Sequence, residues 1–186
     1  MTIDRRALLA LGGLAMTGGM TGAMAAAPPA PRILYQGDLL ADYFQIYLRD
    51  ADHPDLPDDY SEAAIARRLV AGPYGVILHT VRNMPVPIRV TWHMDRPALD
   101  LDADQHVVEA GFDCPSGRLV LAGLSDYEPS APRLGVPAGR LGLRARLRGL
   151  DTLSADGLAG DDRYEMQLWP GAVPDGVRVL KAWPAA

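Results

Sequence analysis

The chain has 186 residues, 48% of them hydrophobic and 22% charged, with a formal net charge of -5. That length is enough for one domain with a proper core, and the acidic balance argues against non-specific nucleic-acid binding, which needs Lys and Arg to displace counterions. The only cysteine, Cys114, excludes an internal disulfide, so stability must come from packing.

Residues 1–25 read as an export signal of twin-arginine type. Asp4-Arg5-Arg6-Ala7-Leu8-Leu9 places apolar residues just after the arginine pair, an uncharged run continues to Met24, and Ala23-Met24-Ala25 has the small-x-small form of a cleavage site. It lacks the Ser or Thr that usually precedes the pair, so an ordinary secretory signal is the alternative. A retained anchor is disfavoured by the glycines at 12, 13, 18, 19 and 22. Residues 26–32 form a Pro-rich linker with Pro28, Pro29 and Pro31. The expected location is periplasmic or secreted, with no membrane contact after cleavage.

Residues 33–186 are expected to form a single mainly β domain, an antiparallel β-sandwich with one short helix. Turn formers are evenly spread, with short apolar-rich segments between them. Asp42–Leu48 alternates as a strand. The helix is expected over Tyr60–Ala71, with Ser61 as cap, a stop at Gly72-Pro73, and Ala64, Ile65 and Leu69 on one side, packed over an end or edge of the sandwich. Gly75–Val81 and Val86–Met94 follow, broken by Asn83-Met84-Pro85. Gln105–Phe112 and Arg118–Leu124 read as a hairpin about Cys114-Pro115-Ser116-Gly117. Arg140–Leu147 alternates strictly, setting Leu141, Leu143, Ala145 and Leu147 against Arg140, Arg144, Arg146 and Arg148. Tyr164–Trp169 and Val177–Trp183 complete the set.

No catalytic set stands out. His53, His79, His93 and His106 lack zinc spacing, and there is no Gly-x-Ser-x-Gly elbow. Cys114 reads as a spectator beside Asp113, an acidic neighbour that would raise its pKa. No cofactor is expected. The densest polar stretch is residues 151–162, where Asp151, Ser154, Asp156, Asp161 and Asp162 fall in one Gly-containing loop. Asp151, Asp156 and Asp161 are a weak candidate for calcium, without EF-hand spacing; a structural or partner-contact loop is the plainer reading. Arg82 and Asn83 sit at a strand end, where loops bind partners; the plain alternative gives Arg82 an Asp partner and Asn83 a turn. The arginine stripe on 140–148 would either face an acidic ligand or pair with the chain's own carboxylates.

Three places resemble the competence protein J family, whose known member inhibits a DNA-entry nuclease: Asp42-Tyr43-Phe44-Gln45-Ile46-Tyr47-Leu48-Arg49-Asp50, Tyr60-Ser61-Glu62-Ala63-Ala64-Ile65, and Gly75 with Ile77, Thr80, Arg82 and Asn83. The second half, from His106-Val107-Val108-Glu109 through Leu150–Ser154 to Leu168–Gly171, is similar to uncharacterised bacterial proteins of the same general shape. The resemblance implies a β-sandwich without enzymatic activity, and it transfers no site residues.

Three functions follow as expectations. The first is an exported, non-catalytic binding protein with a protein partner, of the inhibitor or immunity type, acting on a nuclease or other exported enzyme. The second is a calcium- or small-ligand-binding protein or hydrolase using loop 151–162. The third is a structural envelope protein.

Overall fold

The computed structural model describes residues 29–171, 173 and 176–183, so the leader reading lies outside the described residues. Among the described residues no helix is long and apolar enough to cross a membrane.

Among the described residues eleven strands form two sheets. Strands β1 (Arg32–Leu40), β5 (Pro85–Trp92), β10 (Arg163–Pro170), β9 (Gly139–Arg148), β6 (His106–Cys114) and β11 (Arg178–Lys181) lie side by side, in that order, in the larger sheet. The smaller sheet runs β3 (Leu69–Ala71), β4 (Gly75–His79), β2 (Gln45–Asp50), β7 (Arg118–Gly123) and β8 (Arg133–Gly135). The β5–β10 contact is parallel, whereas the other strand pairings are antiparallel. The expected mainly β sandwich is therefore the observed architecture.

The period-two pattern explains the layers. On β9, Leu141, Leu143, Ala145 and Leu147 enter the core between the sheets. They meet Ile46 and Leu48 of β2, Val108, Ala110 and Phe112 of β6, Leu119 and Leu121 of β7, and Met166 and Leu168 of β10. The smaller sheet also buries its outer face. Tyr47, Val70, Ile77, Val120 and Ala122 pack there against Ala64 of α1 (Glu62–Ala66), with Leu56 and Ala131 alongside. Every residue of β2 is consequently buried.

Three sequence expectations change. Asp42–Phe44 forms a 3-10 turn rather than the start of a strand, and Tyr43 and Phe44 have φ of 52° and 61°. The helix ends early: Arg68 is left-handed at φ 59°, and Leu69–Ala71 pairs with β4. Burying Leu69 between the sheets and Val70 beneath the helix outweighs local helix propensity, and it leaves Ile65 exposed.

The proposed 105–124 hairpin does not form. β6 is flanked by β9 and β11, and β7 by β2 and β8, so the Cys114–Gly117 turn carries the chain from one sheet to the other. The buried Asp50 carboxylate at the end of β2 holds that turn, accepting hydrogen bonds from Ser116 N (2.9 Å) and Ser116 Oγ (2.6 Å). β1, β3 and β8 had no counterpart in the sequence reading.

Candidate functional site

One end of the smaller sheet carries a groove of about 390 Å³ lined by Tyr43, Phe44, Tyr60, Ile65, Leu153 and Trp183, with Gln45, Arg68, His79, Thr80 and Val81 at its base. Tyr43, Phe44, Tyr60 and Ile65 are exposed, Tyr43 at 70%. The turn holding the two adjacent aromatics is fixed at both ends. Phe44 N donates to Ala41 O (3.0 Å), and Phe44 O accepts from Thr80 N (2.9 Å). The left-handed geometry of two non-glycine residues costs about 1–2 kcal/mol each and persists only where surrounding contacts impose it.

The opposite wall is equally tied down. The Arg68 guanidinium lies 5.4 Å from the Trp183 ring centre and donates to Thr80 O (3.1 Å). Trp183 N donates to His106 Nδ1 (3.2 Å), and Nε2 of the same ring lies 3.0 Å from Arg67 O. These two bonds assign the neutral tautomer with the proton on Nε2. Burial, with a smaller contribution from the Arg68 charge, lowers the His106 pKa despite the opposing bond to Arg67 O. Burial also lowers the pKa of His79, and the neighbouring Arg68 charge adds to it.

Two groups in the groove have unmet hydrogen-bonding capacity. Gln45 Oε1 and His79 Nε2 are buried and have no partner among the described residues. They face each other across the β2–β4 ladder. Buried polar atoms are rarely left unpaired, so these two set this end of the smaller sheet apart.

The rim is acidic. Exposed Asp58, Asp59 and Glu62 flank Tyr60; exposed Asp151, Asp156 and Asp161 share a loop with Leu153. This loop is shaped by its own bonds: Ser154 Oγ donates to Asp156 Oδ1 (2.6 Å), Leu158 N donates to the same oxygen (3.1 Å), and Asp161 N donates to Thr152 Oγ1 (2.7 Å). The Ser154 and Leu158 bonds hold the Asp156 carboxyl below its ordinary value. Among the described residues no three His, Cys, Asp or Glu side chains converge as metal ligands, so Asp151, Asp156 and Asp161 are not gathered into a calcium site.

Arg82 and Asp162, 80 residues apart, do come together, but they do so below the surface. Arg82 Nε donates to Asp162 Oδ1 (2.5 Å), and Arg82 Nη1 donates to Leu158 O (3.3 Å). Tyr164 Oη donates to Asp162 Oδ2 (2.8 Å) and accepts from Val81 N (2.9 Å). This buried cluster anchors the acidic loop to the β4–β5 connection beside the groove. Asn83, Asp151, Ser154, Asp156 and Asp161 remain exposed.

The groove residues themselves were not singled out from sequence. The stretches that resemble the competence protein J family contain Tyr43, Phe44, Gln45, Tyr60, Ile65 and Thr80 of this groove, and strand alternation over 42–48 masks the exposed Tyr43-Phe44 pair among them.

No protein-family sequence model matches the chain, and no curated protein matches it in sequence. Two solved structures share its fold. ComJ from Bacillus subtilis, an inhibitor of the DNA-degrading activity of NucA, superposes with a TM-score of 0.60 at 13% identity, covering 76% of this chain and 98% of its own. The crocagin biosynthetic gene J protein gives a TM-score of 0.53 at 20% identity, over 77% of this chain and 100% of its own. At these identities the likeness establishes the fold.

Proposed function

We propose that this chain is an exported, non-catalytic binding protein of inhibitor type that holds a protein partner in the aromatic groove. The observation that carries the proposal is the groove itself: exposed Tyr43 and Phe44 on a strained turn, over the unpartnered Gln45 Oε1 and His79 Nε2. Rigid aromatics in a concave patch are the usual anchors of protein interfaces, and strain is retained where it serves a contact. The inhibitor role of a protein with the same fold supports this reading. The pattern of residues 1–25 supports export.

The test is affinity capture from the exported fraction of the source cell, followed by assay of the captured partner. A stoichiometric partner whose catalytic activity falls on adding the purified chain is expected. Tyr43→Ala/Phe44→Ala should abolish both capture and inhibition. A partner whose activity is unaffected, or inhibition that survives in the double variant, would overturn the proposal.

A further inference from the structure

The opposite face of the molecule has a different character. On the outer surface of the larger sheet, Arg89, Arg146, Arg148 and Arg163 border an open groove of about 410 Å³, with Gln36, Asp38, Pro87 and Glu165. We propose that this groove binds a compact multivalent oxyanion, a small ligand carrying two neighbouring phosphate or carboxylate groups.

The register of the strands makes the case. Arg163 stands directly opposite Arg148 across the β9–β10 ladder. Like charges so placed repel, and a sheet built only for stability would avoid them. One row along, Glu165 stands between Arg89 of β5 and Arg146 of β9, one carboxylate for two guanidinium groups. Arg146 and Arg148 are held from behind: Asp104, itself fully buried, accepts Arg146 Nε at 2.7 Å and Arg148 Nε at 2.6 Å. That hydrogen bond is the main reason the Arg148 pKa is raised, and it fixes the guanidinium in place. Among the described residues neither Arg89 nor Arg163 makes an ion pair, so the pairing that fixes the other two leaves these guanidinium groups free to turn to a ligand.

Two fixed and two free guanidinium groups around one depression suit a ligand with several oxygens, since each planar fork can take two of them. The volume lies within the range of small-molecule sites. The net charge of -5 disfavours an extended polyanion such as nucleic acid, which would have to cross the negative field of the rest of the molecule. A compact anion meets the local positive charge alone.

The experiment titrates the purified chain with pyrophosphate and, separately, citrate, by calorimetry at low and moderate ionic strength. Saturable binding of either is expected, weakening with added salt, and the tighter of the two identifies phosphate or carboxylate as the recognised group. Arg163→Gln should lower affinity about tenfold. It should leave the melting temperature unchanged or raised, because the repulsion with Arg148 is relieved. Arg118→Gln, on the other sheet and paired with Asp52, should bind as the parent does. Amide chemical shifts of the unmodified chain provide a readout independent of variant folding: perturbations should cluster at Gln36, Arg89, Arg148 and Arg163. Failure of both anions to bind, binding unchanged in Arg163→Gln, or shifts confined elsewhere would overturn the proposal. None of these outcomes depends on the aromatic groove.

Discussion

Glu109 holds together the buried polar layer beside that arginine surface. Its carboxylate, fully buried, accepts Arg144 Nε (2.9 Å) and Nη2 (2.8 Å) and Arg96 Nη2 (2.6 Å). Arg144 is only 2% exposed; its remaining donor Nη1 reaches Pro97 O and Ala98 O, and its guanidinium lies 5.7 Å from the Trp169 ring centre. Trp169 in turn lies flat on Gly142, where a Cβ would come within 2.3 Å of the indole. Replacing Glu109 by Gln removes the one carboxylate that two guanidinium groups share and leaves the buried Arg144 uncompensated. We expect Glu109→Gln to cost about 3–5 kcal/mol of stability, measured by urea denaturation, and to release the 93–104 segment to proteolysis. A loss below about 1 kcal/mol would show that water reaches Arg144 in the folded state. The alternation of 140–148 made the arginine row legible, including its pairing with the chain's own carboxylates: Asp113, Glu109 and Asp104 supply them. The burial of Arg144 was not legible, because segment 93–104, which covers it, has no periodicity of its own. Cys114 was read correctly in direction and wrongly in cause. Its thiol is pushed up to about 12 by burial and then by Asp50, a residue distant in sequence, rather than by Asp113.

At the scale of elements, the strained 3-10 turn sets stability against binding. Tyr43 has φ 52° and ψ 27°, its side chain is mostly in solvent, and it makes no side-chain hydrogen bond among the described residues. Glycine occupies this region without steric cost. Tyr43→Gly should therefore raise the unfolding free energy by about 1 kcal/mol while abolishing partner binding. A variant less stable than the parent would mean that the Tyr43 ring packs productively and that the turn carries no strain to release. Elements whose periodicity is set by core contacts were legible from sequence: β4, β5, β6, β7, β9 and β10 fall within a few residues of their expected spans. Elements decided by competition were not. Leu69–Ala71 satisfies a helix pattern and a strand pattern equally, and pairing with β4 decides it. Cys114–Gly117 has suitable residues for a hairpin, yet Asp50 captures Ser116 and both flanking strands find other neighbours. β1 lacks a clear alternation because it is an edge strand, largely exposed and interrupted by a register shift between Ile33 and Tyr35.

For the whole molecule, the buried titratable groups fix the direction in which acid acts. Burial, the largest contribution in each case, depresses the pKa of His79, His93 and His106 in the fold. The unfolded chain takes up these protons near its ordinary value, about 6.5, whereas the folded chain resists until lower pH. The stability due to the neutral imidazoles is therefore complete above that value and is lost as pH falls through it toward the folded values. Asp50 acts later. Burial alone would raise its carboxyl, but hydrogen bonds from His53, from Ser116 through both side chain and backbone, and from the Asp52 amide together outweigh it and hold the group well below the usual carboxylate range. Its contribution persists above about pH 4 and fades below, as the unfolded state binds a proton that the folded state refuses. Urea midpoints measured across this range should fall in two stages, the first setting in as pH drops below about 7 and the second below about pH 4. His106→Gln should shrink the first stage, leaving the share of His79 and His93, since an amide can accept from Trp183 N and donate to Arg67 O without titrating. Asp50→Asn should flatten the second and lower the midpoint at neutral pH, because the sheet-to-sheet turn at Ser116 loses its charged acceptor. A midpoint constant from about pH 7 to 5 would contradict the buried neutral histidines, and with them the assigned wall of the groove, where His106 links Trp183 to the backbone at Arg67.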